Sequence, residues 1–202
     1  MTDAIDKISI CAEQKQYKSL HFLEKVESIK AKTKLRFSSQ EIDNIVKEYP
    51  FKLPVEFYEL YQRGNGINLP IGLNRNYNYF SNYFAYLGQF TTWFPLEEAI
   101  DLYQNLANSY IKNGKLDSNI FPIFNNEICT YVVRGNKKQQ STSPIFAINE
   151  ALETYQVCPT VSNLMLAHLE TIEQSDVNGR RNEENIDAIA EKHEIAEPWL
   201  IS

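Results

Sequence analysis

No run of roughly 18 or more apolar residues occurs in the 202-residue chain, which excludes a membrane-spanning helix of ordinary length. Met1 to Ile10 alternates acidic and basic residues instead of leading into an apolar stretch, so no signal peptide is expected and the expected location is cytoplasmic. Cysteine is scarce: Cys11, Cys129 and Cys158 are far apart, odd in number and outside any Cys-x-x-Cys spacing, which argues against a disulfide framework and for a reducing compartment. With seven glycines there is no Gly-x-Gly-x-x-Gly, no phosphate loop ending in Gly-Lys and no Gly-x-Ser-x-Gly elbow. The three histidines, His21, His168 and His193, fall on separate predicted helices without a second His or Cys three or four residues away. No metal, cofactor or catalytic residue is therefore expected. Cys129 sits in an apolar β run, an environment for a packed thiol rather than a nucleophile.

Basic residues are outnumbered, giving a net charge of −6 that is unevenly spread. Residues 1–36 hold 8 Lys+Arg against 5 Asp+Glu, residues 37–174 hold 9 against 14, and residues 175–202 hold 3 against 7. An acidic body follows a phosphate backbone poorly, because that attraction needs clustered Lys and Arg. Nucleic acid is thus excluded as the expected partner, as is a membrane, while the oligomeric state stays open.

What is present is a pattern of helices and strands. Tyr17, Leu20, Val26 and Ile29 space one amphipathic helix over Glu13 to Ile29, followed by a basic connector to Arg36. Ser38 and Glu41 form a capping-box pair ahead of the apolar stripe Ile42, Ile45, Val46 and Tyr49. A second helix starts at Leu53-Pro54, buries Phe57, Leu60 and Tyr61, and is expected to end left-handed at Gly64 or at Asn65-Gly66. An aromatic block from Tyr77 to Phe94 reads as one or two strands. Pro95 opens a helix with the stripe Ala99, Ile100, Tyr103, Leu106, Ala107, Tyr110 and Ile111, closed by Asn113-Gly114. Phe121–Phe124, Cys129–Arg134 and Pro144–Ile148 are β-rich runs, and Val161, Leu164 and Met165 lie on a last core helix. Asn182 to His193 has the pattern of a short acidic helix. The organisation read from this order is an N-terminal helix and basic connector over 1–36, an α+β domain over 37–174 and an acidic C-terminal extension over 175–202.

The aromatic block is the feature in surplus. Alternating strand side chains cannot all face one core, so some of Tyr77, Tyr79, Tyr83 and Tyr86 are expected at the surface, where tyrosines favour protein contacts. Glu97, Glu98 and Asp101 are acids near the start of the helix after Pro95, where the macrodipole already explains them; together with the tyrosines they make the candidate partner surface. A protein partner is expected, a basic toxin domain being one that the charge would attract.

The order of these signals resembles the SUKH superfamily, which includes fungal cell-wall-assembly regulators and bacterial immunity proteins that neutralise polymorphic toxins. The resemblance rests on the capped helix from Ser38, Leu53-Pro54 with Phe57-Tyr58 and Leu60-Tyr61, Asn65-Gly66, and Trp93 to Ile100. It continues through Phe121-Pro122-Ile123-Phe124, Tyr131-Val132-Val133, Ser143-Pro144-Ile145-Phe146 and the helix from Val161, covering roughly Ser38 to Glu173. Asn125-Asn126-Glu127 stands where a Gly- and Asp-containing turn is common, and Ile67 where a second Gly is common. The resemblance implies an α+β fold, a curved antiparallel sheet with helices packed against it, and non-catalytic protein binding without a cofactor. The role it implies is that of an immunity protein or, alternatively, a regulatory interaction domain for an endogenous enzyme or scaffold.

Overall fold

The computed structural model describes residues 36–65, 92–125, 129–174 and 183–196. The expected helix over Glu13 to Ile29, its basic connector up to Leu35, Gly66, the aromatic block up to Thr91 and the terminal Trp199-Leu200-Ile201 lie outside the described residues.

Helix α1 (Ser39–Val46) begins as its capping box requires. Glu41 N donates to Ser38 Oγ at 3.3 Å, and the Glu41 carboxylate accepts from Ser38 N at 2.7 Å. That hydrogen bonding from Ser38 holds the Glu41 carboxyl below the ordinary value of 4.5. Helix α2 (Val55–Arg63) follows Pro54, whose missing N–H falls where no intrahelical partner exists. Its expected left-handed end is not at Gly64, which is extended at φ −175°. The other expected end, Asn65-Gly66, falls at the edge of the described residues, and Gly66 lies outside them.

The last residues of the aromatic block form β1 (Thr92–Trp93), and α3 (Leu96–Leu106) follows Pro95. It runs on into a π-helical turn, Ala107–Ile111, in which Lys112 N donates to Ala107 O at 3.0 Å. Leu106 and Tyr110 pack on a different cluster from Ala99 and Tyr103, and Ile111 touches both. Gly114 ends the segment at φ +69°, a left-handed position that suits glycine, as the Asn113-Gly114 pair leads one to expect.

Four longer strands complete the sheet: β2 (Ile120–Asn125), β3 (Thr130–Arg134), β4 (Ile145–Ile148) and β5 (Thr154–Cys158). All neighbours are antiparallel, in the order β1-β2-β3-β4-β5. Three of these were expected from the β-rich runs. Strand β5 was not, because Thr154 to Gln156 are polar enough on their exposed side to read as loop. A register shift between Pro122 and Phe124 lets Phe121, Ile123 and Phe124 all join the same core cluster, which strict alternation would divide between the two faces.

The sheet divides the core. Phe121, Tyr131, Val133, Ile145 and Ala147 face the helices, with Ile42, Val46, Phe57, Tyr61, Leu96 and Leu164 packed against them. The other face carries Ile120, Val132 and Ile148, covered in part by Leu116, Tyr110 and Leu152. Helix α4 (Val161–Gln174) returns to the first face, and α5 (Glu183–Lys192) lies on α4. Ile186, Ile189, Ala190 and Ile195 share the main core, and Ala196 N donates to Val157 O at 2.8 Å. The core therefore continues beyond residue 174. The described residues form an α+β domain with an open antiparallel sheet, most of whose helices pack against one face.

Candidate partner-binding surface

Of the residues marked out as a partner surface, the structure brings together Glu97, Glu98 and Asp101; Tyr77, Tyr79, Tyr83 and Tyr86 lie outside the described residues. Helix α3 turns Leu96, Ala99 and Tyr103 into the core, which leaves the three acids exposed on its opposite side. No Lys or Arg occurs between Leu96 and Leu106.

The position of this acidic face is fixed from a distant part of the chain. Pro95 provides no side-chain cap for α3. Asn65, just past α2, provides it instead: Leu96 N donates to Asn65 Oδ1 at 2.7 Å, and Asn65 Nδ2 donates to Glu97 Oε2 at 3.0 Å. Asn65 is thus a side-chain cap for α3, a role that local sequence gives no sign of because its partner is about thirty residues away.

Tyrosines border the acids. Tyr49 packs on Tyr103 at 4.6 Å between ring centroids and is half-buried. Burial first, then the neighbouring Tyr103 and Asp101, push its hydroxyl up to about 12. The Tyr58 hydroxyl donates to Asp43 at 2.7 Å, and burial with that contact raises it well above its ordinary value of 10.0. Tyr49, which local periodicity assigned to an apolar face, and Tyr58 thus place polar ends beside the surface carboxylates Asp101 and Asp43. The end of the aromatic block behaves differently. Trp93 is buried 5.6 Å from the ring of Tyr61, and the Tyr61 hydroxyl donates to Phe94 O at 2.8 Å.

The most conspicuous buried acid, Glu56, is bound to backbone rather than poised for chemistry. Its side chain is 4% exposed, yet it accepts from Val161 N at 3.2 Å, Ser162 N at 3.1 Å and Ser162 Oγ at 2.6 Å. These donors belong to the first turn of α4, so the carboxylate from α2 caps a helix a hundred residues onward and meets the positive end of its dipole. Nothing in a single Glu in a helix's first turn announces this. Cys158 is equally enclosed: burial raises its thiol to about 12, and Sγ donates to Thr160 O at 3.2 Å. Neither group has the solvent-facing, activated environment of a nucleophile or base. Among the described residues no three His, Cys, Asp or Glu side chains gather as a metal site, and no helix is long and apolar enough to cross a membrane.

The exposed acidic face of α3 thus lies on a helix held at both its cap and its core. The model of the SMI1 / KNR4 family (SUKH-1) matches residues 36–167 of this chain. The chain belongs to that family. Comparison with curated proteins finds no match, and neither does comparison with solved structures.

Proposed function

We propose that the chain is a non-catalytic protein-binding module of the bacterial immunity kind, which neutralises a toxin by binding it directly. The observation that carries this reading is the exposed acidic face of α3, with Glu97, Glu98 and Asp101 on a helix lacking any basic residue and half-buried Tyr49 beside it. Carboxylates at the rim steer a basic partner and set its association rate, and a tyrosine with a buried body and a polar tip is suited to anchoring it. The net charge of −6 adds long-range attraction for a cationic domain such as that of a nuclease toxin. Family membership supports the binding role and leaves immunity and regulation as its two forms.

The test is affinity capture with the full chain in its native host, followed by co-expression of the captured partner. Capture of a secreted toxin whose lethality is relieved by co-expression supports immunity. Capture of an endogenous enzyme or scaffold with no effect on growth overturns it in favour of regulation.

A further inference from the structure

Among the described residues, a local reversal of charge lies at the opposite end of α2 from the acidic face. Residues 135–144, which join β3 to β4, fold back over the segment that leads into α2. Lys52 and Asn136 exchange two backbone hydrogen bonds, of 2.7 and 2.9 Å. Val55 N donates to Gln140 O at 2.9 Å, Glu56 N donates to Ser141 O at 3.2 Å, and Gln139 Nε2 donates to Leu53 O at 3.2 Å. Two free N–H groups at the start of α2 are thus satisfied by the loop, and the loop is fixed by them. Gly135 lies so close to Phe51 that a Cβ there would overlap the Phe51 ring.

This fixed loop presents Lys137 and Lys138 at its tip, with Lys52 on the strand-like segment bridged to it. All three are exposed, and among the described residues none of their ammonium groups pairs with a carboxylate. Beside them Val55 is an apolar side chain that is 40% exposed, and Gln139 and Gln140 are exposed amides. We propose that this loop and the start of α2 form a second docking site, for an acidic peptide segment carrying an apolar side chain between its carboxylates. The lysines pair with the carboxylates, Val55 meets the apolar side chain, and the glutamines hydrogen-bond the peptide backbone. Backbone hydrogen bonding has already ordered the loop, so the entropy of fixing it is not lost on binding. A polyphosphate chain fits less well, because three cations on a body of net charge −6 attract a short carboxylate segment more readily than they hold an extended polyanion.

The site stands apart from the α3 surface and does not depend on a toxin being the partner. Together the two surfaces imply a partner with charges of both signs, separated by about the 14 Å of a nine-residue helix. Such an arrangement fixes the direction of docking as well as its strength.

The experiment is a titration of the isotope-labelled full chain with the peptide acetyl-Glu-Glu-Leu-Glu-Glu-amide at low ionic strength, followed by amide chemical shifts. Shifts should concentrate at Lys52–Val55 and Asn136–Ser141. The K52Q/K137Q/K138Q variant should bind roughly tenfold more weakly, and the matching Arg variant should retain binding. Salt near 0.15 M should weaken the parent's binding, because the pairs are exposed. The proposal is overturned if those amides do not move, if the Gln variant binds as the parent does, or if the Gln-for-Glu peptide binds equally well. It is also overturned if a single-stranded oligonucleotide displaces the peptide and moves the same amides more strongly, since the site would then be one for phosphate.

Discussion

Removing the Glu56 carboxylate should cost more than any surface substitution, because one buried side chain joins two helices about a hundred residues apart in the chain. In the parent it satisfies three donors on α4: Val161 N, Ser162 N and Ser162 Oγ. Glu56→Ala leaves those donors without their acceptor in a region from which water is largely excluded, at roughly 1 kcal/mol for each. The expected loss is about 3 kcal/mol, or a fall in Tm of about 6–12 °C for a chain of this length. Glu56→Gln keeps one oxygen but points an amide N–H₂ at other donors, so its expected loss is smaller, about 1–2 kcal/mol. Urea unfolding followed by far-ultraviolet circular dichroism reads both values. A double-mutant cycle with Ser162→Ala isolates the shared hydrogen bond, for which a coupling of about 1 kcal/mol is expected. If Glu56→Ala unfolds within about 0.5 kcal/mol of the parent, the carboxylate is not the cap described here.

Gly135→Ala places a methyl group against the Phe51 ring and should destabilise by about 1–3 kcal/mol through overpacking, read by the same unfolding curves; an unchanged midpoint would show that Phe51 moves aside freely. Truncation after Gln174 removes Ile186, Ile189 and Ile195 from the core and should cost at least about 4 kcal/mol, so a truncated chain as stable as the parent would mean that α5 contributes nothing. The third expectation concerns Glu170, which accepts from Lys192 Nζ at 2.7 Å and His193 Nε2 at 2.9 Å and is held below its ordinary value of 4.5, chiefly by the Lys192 contact. A depressed carboxyl contributes stability that is complete above about pH 4.5 and is lost as pH falls through its lowered folded value. Glu170→Gln should therefore flatten the acid limb of the stability curve and increase amide exchange in α5 near neutrality, whereas an acid limb identical to the parent's would remove Glu170 from that role.

Much of this fold was legible because its signals are local. The Ser38–Glu41 pair, the prolines at 54 and 95, the apolar stripe of α3 and the Gly114 stop each act within one or two turns of chain, and each is where its chemistry requires. The acids Glu97, Glu98 and Asp101 were legible as an exposed face for the same reason. What sequence could not display is pairing across distance. Glu56 looks like an ordinary acid in a first helical turn until α4 is laid against it, and Asn65 looks like half of a turn until α3 starts beside it. Strand β5 was hidden because Thr154, Tyr155 and Gln156 are exposed in a strand paired by β4, leaving only Val157 and Cys158 buried. The Tyr155–Val157 spacing was the faint signal for it. The basic loop was hidden too, since Lys137 and Lys138 resemble any solvated turn until backbone bonds to Lys52 and Val55 show it to be ordered.

The central claim, that the chain acts by holding a basic protein against the acidic face of α3, is tested most directly by association kinetics. The partner captured from the native host is bound to the parent chain and to the folded E97Q/E98Q/D101N variant over a series of salt concentrations. The account predicts that the variant associates at least about tenfold more slowly at low salt and that its rate depends much less on salt. Equal association rates with equal salt dependence would contradict it and place the interface elsewhere on the molecule.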